Sequence, residues 1–340
     1  MQISYFDLPA EEQRDLLAIA EARTGRAPAV IEKDIWVCLV LHHLFSMPGR
    51  KAMAFKGGTS LSKVYSVIQR FSEDIDITID YRELGCDLPV AELARQSRGQ
   101  RDRLSEQLRG QVRAYTHEVV LPHLQSKLQK TECQITIDDD GEKLYVSYPS
   151  RTGDRDPYLR QHVLVEFGGR NIIDPNAVHV ISSDVAELFP TVAFAQAEVV
   201  VLAAERTFWE KVTLIHDQCN RAFPAGRGRL SRHWYDLAML VRHDTGRRAL
   251  ADLALLSDVI GLKEVFYRRA TSQYERCLAG GLNLIPDAEN LMLLERDYDE
   301  MHNAGMLNGH AYPLAEIIAE LTTLQESINT LSRAQIPPIV

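Results

Sequence analysis

The first hydrophobic pattern along the chain is helical. Apolar residues recur at steps of three and four within residues 28–46, and residues 8–23 also have a helical pattern. A short apolar run, Ala52–Phe55, stops at Gly57-Gly58, and an amphipathic segment then extends from Thr59 to Gln69. This order predicts a strand, a tight turn and a helix.

A second pattern follows over residues 74–80, where an acid or a hydroxyl alternates with isoleucine. Period two predicts a strand with one buried face and one acidic face. Residues 90–130 have the pattern of a long helical region, and the turn Asp138–Gly141 joins two of the strands that come next into a hairpin. The three predicted strands are Cys133–Ile137, Lys143–Tyr148 and His162–Phe167.

The rest of the chain is predicted to be helical after one short apolar run, Val199–Leu202. The predicted helices are 203–220, 231–244, 247–256, 262–279, 288–302 and 313–332. Strands mixed with helices, followed by helices alone, predict an α+β protein of two lobes. We expect a lobe with a mixed sheet and flanking helices at residues 1–185, and an all-helical lobe at residues 186–340.

Composition narrows the class of protein. With 340 residues, 45% hydrophobic and 25% charged, the chain is long enough for two cores. It has no signal-peptide pattern and no apolar run long enough to span a bilayer, so we expect a cytoplasmic protein. The five cysteines are scattered, without the pairs typical of zinc or redox sites.

A net charge of −9 argues against a protein that coats nucleic acid by bulk attraction. Two arginine clusters are still candidates for local contacts, one within residues 95–113 and one within residues 221–232. The alternative for each is a solvated, charged surface.

Asp74 and Asp76 carry the strongest candidate chemistry. Two residues apart on a strand, their carboxylates project from the same face, and carboxylate oxygens are suitable ligands for Mg²⁺ bound to phosphates. Two metal ions in such a site stabilise the attacking and the leaving oxygen of a displacement. The alternative is an acidic strand edge that only faces water.

The segment Gly57-Gly58-Thr59-Ser60 gives this strand its context. Glycines allow a close approach of the backbone to phosphate, and free amides at a helix start attract anions. The alternative is a plain helix cap. The sequence has no Walker loop, no zinc-protease helix motif and no serine-hydrolase elbow.

Glu166 is the candidate third carboxylate of a two-metal site. It is the one acid in an apolar strand, where a buried charge is costly unless it is paired or bound to metal. As a general base it would accept the proton of an attacking hydroxyl. The alternative is an acid at a strand end that faces water.

The sequence from Phe55 to Asp76 resembles a known family. Phe55-Lys56-Gly57-Gly58-Thr59-Ser60-Leu61-Ser62-Lys63 and Arg70-Phe71-Ser72-Glu73-Asp74-Ile75-Asp76 are similar to motifs of the AbiEii/AbiGii-type nucleotidyltransferase toxins, which are MenT-like and belong to the DNA polymerase β superfamily. Looser matches are Glu32-Lys33-Asp34, Glu205, Glu210-Lys211, Arg232 and Tyr235-Asp236-Leu237.

The resemblance implies a two-lobed enzyme with Asp74 and Asp76 on metal, and with Lys211 on the triphosphate of an NTP; Glu166 is the third metal ligand that we expect from its place in an apolar strand. Asp236 would be a further essential acid from the helical lobe. The alternatives are that Lys211 is an ordinary surface charge and that Asp236 is the structural partner of an arginine. The nucleotide-binding set would be Gly57, Gly58, Thr59, Ser60, Lys63, Ser72 and Lys211.

The expected reaction is Mg²⁺- or Mn²⁺-dependent transfer of NMP from an NTP to RNA, such as a tRNA 3′ end, with release of pyrophosphate. Arg227, Arg229 and Arg232 are the candidate acceptor-binding residues. The family implies a toxin of a toxin–antitoxin or phage-defence system, with a cognate antitoxin protein as partner and no membrane association. The alternatives are a protein or small-molecule acceptor, and a non-catalytic nucleotide-binding module.

Overall fold

The structure is a computed structural model that describes residues 2–153, 160–223, 229–307 and 312–334. The chain divides into two compact units. The sheet unit contains residues 1–64, 72–86 and 105–202, and the helical unit contains residues 65–71, 87–104 and 203–340.

A seven-stranded mixed sheet forms the centre of the sheet unit. Its strand order is β4-β5-β6-β3-β2-β9-β7, and β1 and β8 form a separate parallel pair. The strands are β1 (Ile3–Ser4), β2 (Met53–Lys56), β3 (Ile75–Asp80), β4 (Gln134–Ile137), β5 (Lys143–Ser147), β6 (His162–Asn171), β7 (Asn176–Ile181), β8 (Val192–Ala193) and β9 (Ala197–Leu202).

Side-chain alternation explains why these segments form strands. In β5, Leu144 and Val146 are buried while Lys143 and Ser147 are exposed, so one face of the strand is apolar and the other polar. Within the seven-stranded sheet, the strand pairs are antiparallel except for β2 with β9 and β3 with β6, which are parallel.

Helices cover parts of the sheet unit and form the helical unit. They are α1 (Ala10–Thr24), α2 (Pro28–Phe45), α3 (Gly57–Lys63), α4 (Val90–Arg95), α5 (Arg98–Tyr115), α6 (Leu121–Leu128), α7 (Ala204–Cys219), α8 (Ser231–Arg242), α9 (Asp244–Leu250), α10 (Leu253–Phe266), α11 (Glu275–Leu278), α12 (Ala288–Asn303) and α13 (Leu314–Ala334). The mixed sheet and the helical C-terminal part confirm the predicted α+β class. None of the helices described combines the length and apolar character needed to cross a membrane.

Several element boundaries differ from the predicted ones for local reasons. The helix predicted for Thr59–Gln69 ends at Lys63. The long helix predicted for residues 90–130 is interrupted before α5, where Ser97 and Gln100 form a capping box through their side chains and backbone amides. The side chain of Asp252 caps the start of α10, so the helices predicted for 247–256 and 262–279 are divided elsewhere.

Strand β7 was missed by the sequence analysis. It lies at one edge of the sheet, where Val178 and Val180 are exposed instead of buried. Without a buried apolar face, its hydrophobic pattern does not distinguish it from a loop.

Candidate active site

Residues 72–77 alternate between partly exposed and buried side chains. Ser72, Asp74 and Asp76 are partly exposed, whereas Ile75 and Ile77 are buried. Asp74 immediately precedes β3 and Asp76 lies within it. The two carboxylates therefore share the polar side of this segment, as the sequence predicted.

A row of four charged residues crosses the sheet at Asp76. Lys56 of β2 is the register partner of Asp76, Asp76 is the partner of Glu166 in β6, and Glu166 is the partner of Lys143 in β5. Register partners on neighbouring strands have side chains on the same face, with the strands about 4.8 Å apart. We call this set the charged row; two acids lie at its centre and a lysine at each end.

Glu166 forms an ion pair within the charged row. Its Oε1 lies 3.0 Å from the Nζ of Lys143, and its side chain is 38% exposed. The hydrogen bond to Glu166 raises the pKa of Lys143, so this lysine is charged at neutral pH. Glu166 is therefore accessible to solvent, and Lys143 offsets its repulsion of Asp76.

The donor chemistry of this face fits a divalent cation. Asp74, Asp76 and Glu166 supply carboxylate oxygens, the ligands that hard cations prefer, and the like charges of Asp76 and Glu166 lie side by side. Across the described ranges of the chain, no three His, Cys, Asp or Glu side chains already converge on a position that could hold a metal ion.

Gly57 brings the backbone against the carboxylate of Asp76. Its φ is +80°, a conformation that favours glycine, and a Cβ added to it would lie 2.0 Å from Oδ2 of Asp76. Gly57 begins α3, directly after β2. The sequence predicted that this glycine lets the backbone approach a phosphate. In the structure, the backbone at Gly57 lies against Asp76, an acid of the charged row.

The hydroxyl groups after Gly57 make hydrogen bonds inside the protein. Thr59 Oγ1 donates to the backbone carbonyl of Asp74 at 2.6 Å and lies 3.0 Å from Ser72 Oγ, while Ser60 Oγ donates to the carbonyl of Gly57 at 2.9 Å. Thr59 and Ser60 are buried. Thr59 fixes the segment that precedes Asp74. The predicted phosphate contacts of Gly58, Thr59, Ser60 and Ser72 stay predictions.

Lys63 lies in a buried ion-pair network. Its Nζ pairs with Asp34 and lies 2.7 Å from Oδ1 of Asp184. Burial alone would lower the pKa of Lys63, but Asp34 and Asp184 raise it above the usual value. The network anchors α3 to α2, and a contact between Lys63 and the nucleotide stays a prediction.

Helix α2 carries three consecutive charged residues, Glu32, Lys33 and Asp34, for which the sequence predicted no individual role. Glu32 accepts hydrogen bonds from Ser150 Oγ and the Arg151 amide at 2.7 Å each, and Lys33 forms an ion pair with Glu73, the neighbour of Asp74. Both are almost completely buried. Burial lowers the pKa of Lys33, and Glu73 opposes this shift. Because a buried charge is costly unless it is paired, three charges in an apolar helix indicate that each has a partner.

The helical unit contains a second cluster of charges, formed by Arg70, Lys211 and Asp236. Arg70 donates from Nε to Oδ1 of Asp236 at 2.6 Å and from Nη2 to Oδ2 at 2.8 Å, and Lys211 Nζ donates to Oδ2 at 2.8 Å. Asp236 is 0% exposed. We call these residues the Asp236 cluster; both oxygens of its acid have partners.

The two cations determine the charge state of this cluster. Burial alone would raise the pKa of Asp236, but Arg70 and Lys211 hold it far below its ordinary value. Burial lowers the pKa of Lys211, and Asp236 opposes this shift. Asp236 is therefore ionised as the partner of an arginine, the structural alternative that the sequence left open, and its essential role in the reaction stays a prediction.

The candidate acceptor residues are only partly described. Arg227 lies outside the described residues. The backbone amide of Arg229 donates to Asp297, whose Oδ2 also accepts from the Ser231 amide at 2.6 Å, and Arg232 follows in the first turn of α8. Asp297 therefore fixes the backbone at the start of α8, and the RNA contacts of these arginines stay predictions.

The chain is similar to a known protein family and to a solved structure. A family model described as "Nucleotidyl transferase AbiEii toxin, Type IV TA system" matches residues 40–320. Among solved structures, the chain is similar to MenT4, a nucleotidyltransferase toxin from Mycobacterium tuberculosis, with 18% sequence identity, a TM-score of 0.47 and coverage of 93% of this chain and 89% of that chain. A search of curated proteins gave no match. The span of the family model includes every candidate site residue from Gly57 to Asp236.

Proposed function

We infer the reaction from one premise: the chain belongs to the AbiEii family of nucleotidyltransferase toxins of type IV toxin–antitoxin systems. Enzymes of this class take a nucleotidyl group from an NTP. We propose that this protein transfers NMP to a hydroxyl group of RNA and releases pyrophosphate, with Mg²⁺ or Mn²⁺ bound by Asp74, Asp76 and Glu166.

The charged row is the observation that carries this proposal. It brings Glu166, which is 90 residues away from Asp76 in the sequence, to the neighbouring position on the same sheet face. Asp74 precedes the strand on its polar side. Divalent cations bound here would supply Lewis-acid stabilisation of the phosphate oxygens.

The β2–α3 turn is the proposed phosphate side of the site. Gly57 allows the backbone to approach Asp76, and Lys56 places a positive charge in the same row. Thr59 donates a hydrogen bond to the Asp74 carbonyl, and this bond links the start of α3 to the segment that carries the acids. A triphosphate at this turn would lie beside the carboxylates that we assign to metal.

The proposed chemistry is an in-line displacement at the α-phosphorus. The acceptor oxygen forms a bond to this phosphorus while the bond to the bridging oxygen of pyrophosphate breaks. Glu166 accepts the hydroxyl proton, and its solvent-exposed carboxylate is accessible to the acceptor. The leaving pyrophosphate takes the electron pair of the broken bond.

RNA is the proposed acceptor and an antitoxin the proposed protein partner. The arginines of residues 227–232 support RNA because a guanidinium group binds phosphate oxygens in a planar fork. The family supports an antitoxin because it consists of toxins of two-component systems. The proposed contact of Lys211 with the triphosphate rests on the family resemblance and not on the contacts of the Asp236 cluster.

The test is to incubate the protein with each labelled NTP, Mg²⁺ and a mixture of total RNA and cell protein. We expect label in RNA from wild-type protein and none from Asp76→Asn. Treatment with ribonuclease should remove the label. Label that survives ribonuclease but is removed by protease would contradict the RNA acceptor and leave the transfer chemistry standing.

A further inference from the structure

The sheet face that carries the proposed metal ligands continues onto β5. Lys143, Tyr145 and Ser147 alternate with the buried Leu144 and Val146, so the first three share the face of Glu166. On β6, His162 is the register partner of Ser147 and lies on the same face as Glu166, four residues later. We call Lys143, Tyr145, Ser147 and His162 the β5–β6 face.

The charged row gives this face a direction. Along the row, the β2–α3 turn lies on one side of Asp76 and Glu166, and β5 lies on the other. In an in-line displacement, the attacking oxygen and the leaving pyrophosphate are on opposite sides of the phosphorus. With the triphosphate at the β2–α3 turn and the displacement axis along the row, the acceptor approaches over β6 and β5.

The β5–β6 face has the chemistry of a surface for single-stranded nucleic acid. The rings of Tyr145 and His162 lie edge to face, with centroids 5.1 Å apart and an interplanar angle of 79°. Both side chains are partly exposed, and Lys143, which is 45% exposed, lies two residues before Tyr145 on β5. Aromatic rings on a sheet stack with bases of any sequence, and a nearby lysine binds the backbone phosphate.

We propose that the β5–β6 face binds the single-stranded 3′ end of the RNA acceptor, with the terminal bases against Tyr145 and His162 and a phosphate on Lys143. This rests on the proposed function and adds the position of its acceptor. Lys143 has a second role in the proposed site, because its ammonium group forms an ion pair with Glu166, the proposed base. The face thus joins acceptor binding to the group that takes the acceptor proton.

The test measures RNA binding without any reaction. A fluorescein-labelled single-stranded RNA of about a dozen nucleotides is titrated with protein in EDTA, without nucleotide, and anisotropy gives its affinity. We expect Tyr145→Ala to weaken binding about tenfold and Tyr145→Phe to change it by less than about twofold, because the phenylalanine ring retains stacking. Lys143→Gln should weaken binding and lower the log-log salt slope by about 0.7.

Two control variants match these changes outside the β5–β6 face. Tyr267→Ala removes a 40% exposed tyrosine of the helical unit, and Lys130→Gln neutralises an exposed lysine after α6. Both should bind RNA as wild type does. NTP affinity, measured by calorimetry with a non-hydrolysable analogue and Mg²⁺, should be unchanged in Tyr145→Ala, whereas the KM for RNA in the transfer reaction should rise.

The outcomes separate this proposal from the proposed function. If wild-type protein labels RNA and Tyr145→Ala has an unchanged RNA affinity and KM, the assignment of the β5–β6 face is wrong and the transfer activity stands. Equal losses in Tyr145→Ala and Tyr267→Ala would also overturn it. If wild-type protein labels protein and not RNA, both the acceptor class and the role of this face are wrong.

Discussion

The charged row and the Asp236 cluster contain the same kinds of side chain in opposite environments. In the row, Glu166 is 38% exposed, and acids stand next to each other. In the cluster, Asp236 is 0% exposed, and both its oxygens bind cations. Neighbouring acids that are partly exposed are accessible to a cation, whereas a buried acid with cations on both oxygens contributes to the fold.

The same difference predicts which mutations reduce activity and which reduce stability. Removing one partner of a buried ion pair leaves an uncompensated charge and costs about 3–5 kcal/mol. Removing one of two adjacent, partly exposed carboxylates relieves repulsion instead. We therefore expect variants of the row to lose activity and keep their stability, and variants of the cluster to lose stability first.

The largest expected effect is on transfer by Asp76→Asn. We expect the rate of NMP transfer to fall about a thousandfold because a metal-binding carboxylate at the centre of the charged row is lost. The melting temperature should be unchanged or higher. Glu21→Gln, a change at an exposed acid of α1, serves as the control and should transfer at the wild-type rate. An Asp76→Asn protein with more than about a tenth of wild-type activity would contradict the assignment.

The next effect is on the stability of Asp236→Asn. This change keeps the volume of the side chain and leaves Arg70 and Lys211 without their anion. The free energy of unfolding in urea should fall by about 3–5 kcal/mol. A stable Asp236→Asn protein without activity would instead indicate a direct part for Asp236 in the reaction, as the family resemblance implied.

Lys211→Met separates the two roles of this lysine. If Lys211 also neutralises triphosphate charge, the affinity for a non-hydrolysable NTP analogue should fall about tenfold, measured by calorimetry at a temperature where the variant is folded. Its stability should fall less than that of Asp236→Asn, because Arg70 still pairs with the acid. Unchanged nucleotide affinity would limit Lys211 to the Asp236 cluster.

The smallest expected effect is on acid unfolding. Because the folded protein holds the pKa of Asp236 below its ordinary value of 3.8, the ionised acid stabilises the fold above that pH. This contribution is lost as pH falls. The stability difference between wild type and Asp236→Asn, measured by urea unfolding, should therefore be constant above about pH 5 and shrink as pH falls from about 5 to about 2. A difference that stays constant over this interval would contradict the ion-pair account.

The sequence predicted the elements that have a strong period better than it predicted their partners. Alternation predicted β3, a short apolar run predicted β6, and the one acid in that run made Glu166 a candidate metal ligand. Register is not visible in a single sequence, so Lys143 received no role although it is the register partner of Glu166. Strand β7 was missed because its valines are exposed.

The helical unit shows a similar limit. Arg70 and Asp236 were both noted in the motifs, but 166 residues separate them, and no local pattern pairs them. Lys63 was assigned to the nucleotide by its motif, whereas the fold places it against Asp34 and Asp184. Residue type and spacing gave the candidate charges, and tertiary contacts decide which partners they have in the fold.

Binding of Mn²⁺ is the most direct test of the difference between the two regions. Electron paramagnetic resonance would follow Mn²⁺ bound in the presence of a non-hydrolysable NTP analogue, for wild type, Asp76→Asn, Glu166→Gln and Asp236→Asn. We predict that Asp76→Asn and Glu166→Gln weaken Mn²⁺ binding at least about tenfold, and that folded Asp236→Asn binds as wild type does. Wild-type Mn²⁺ affinity in Asp76→Asn, or its loss in folded Asp236→Asn alone, would contradict the account.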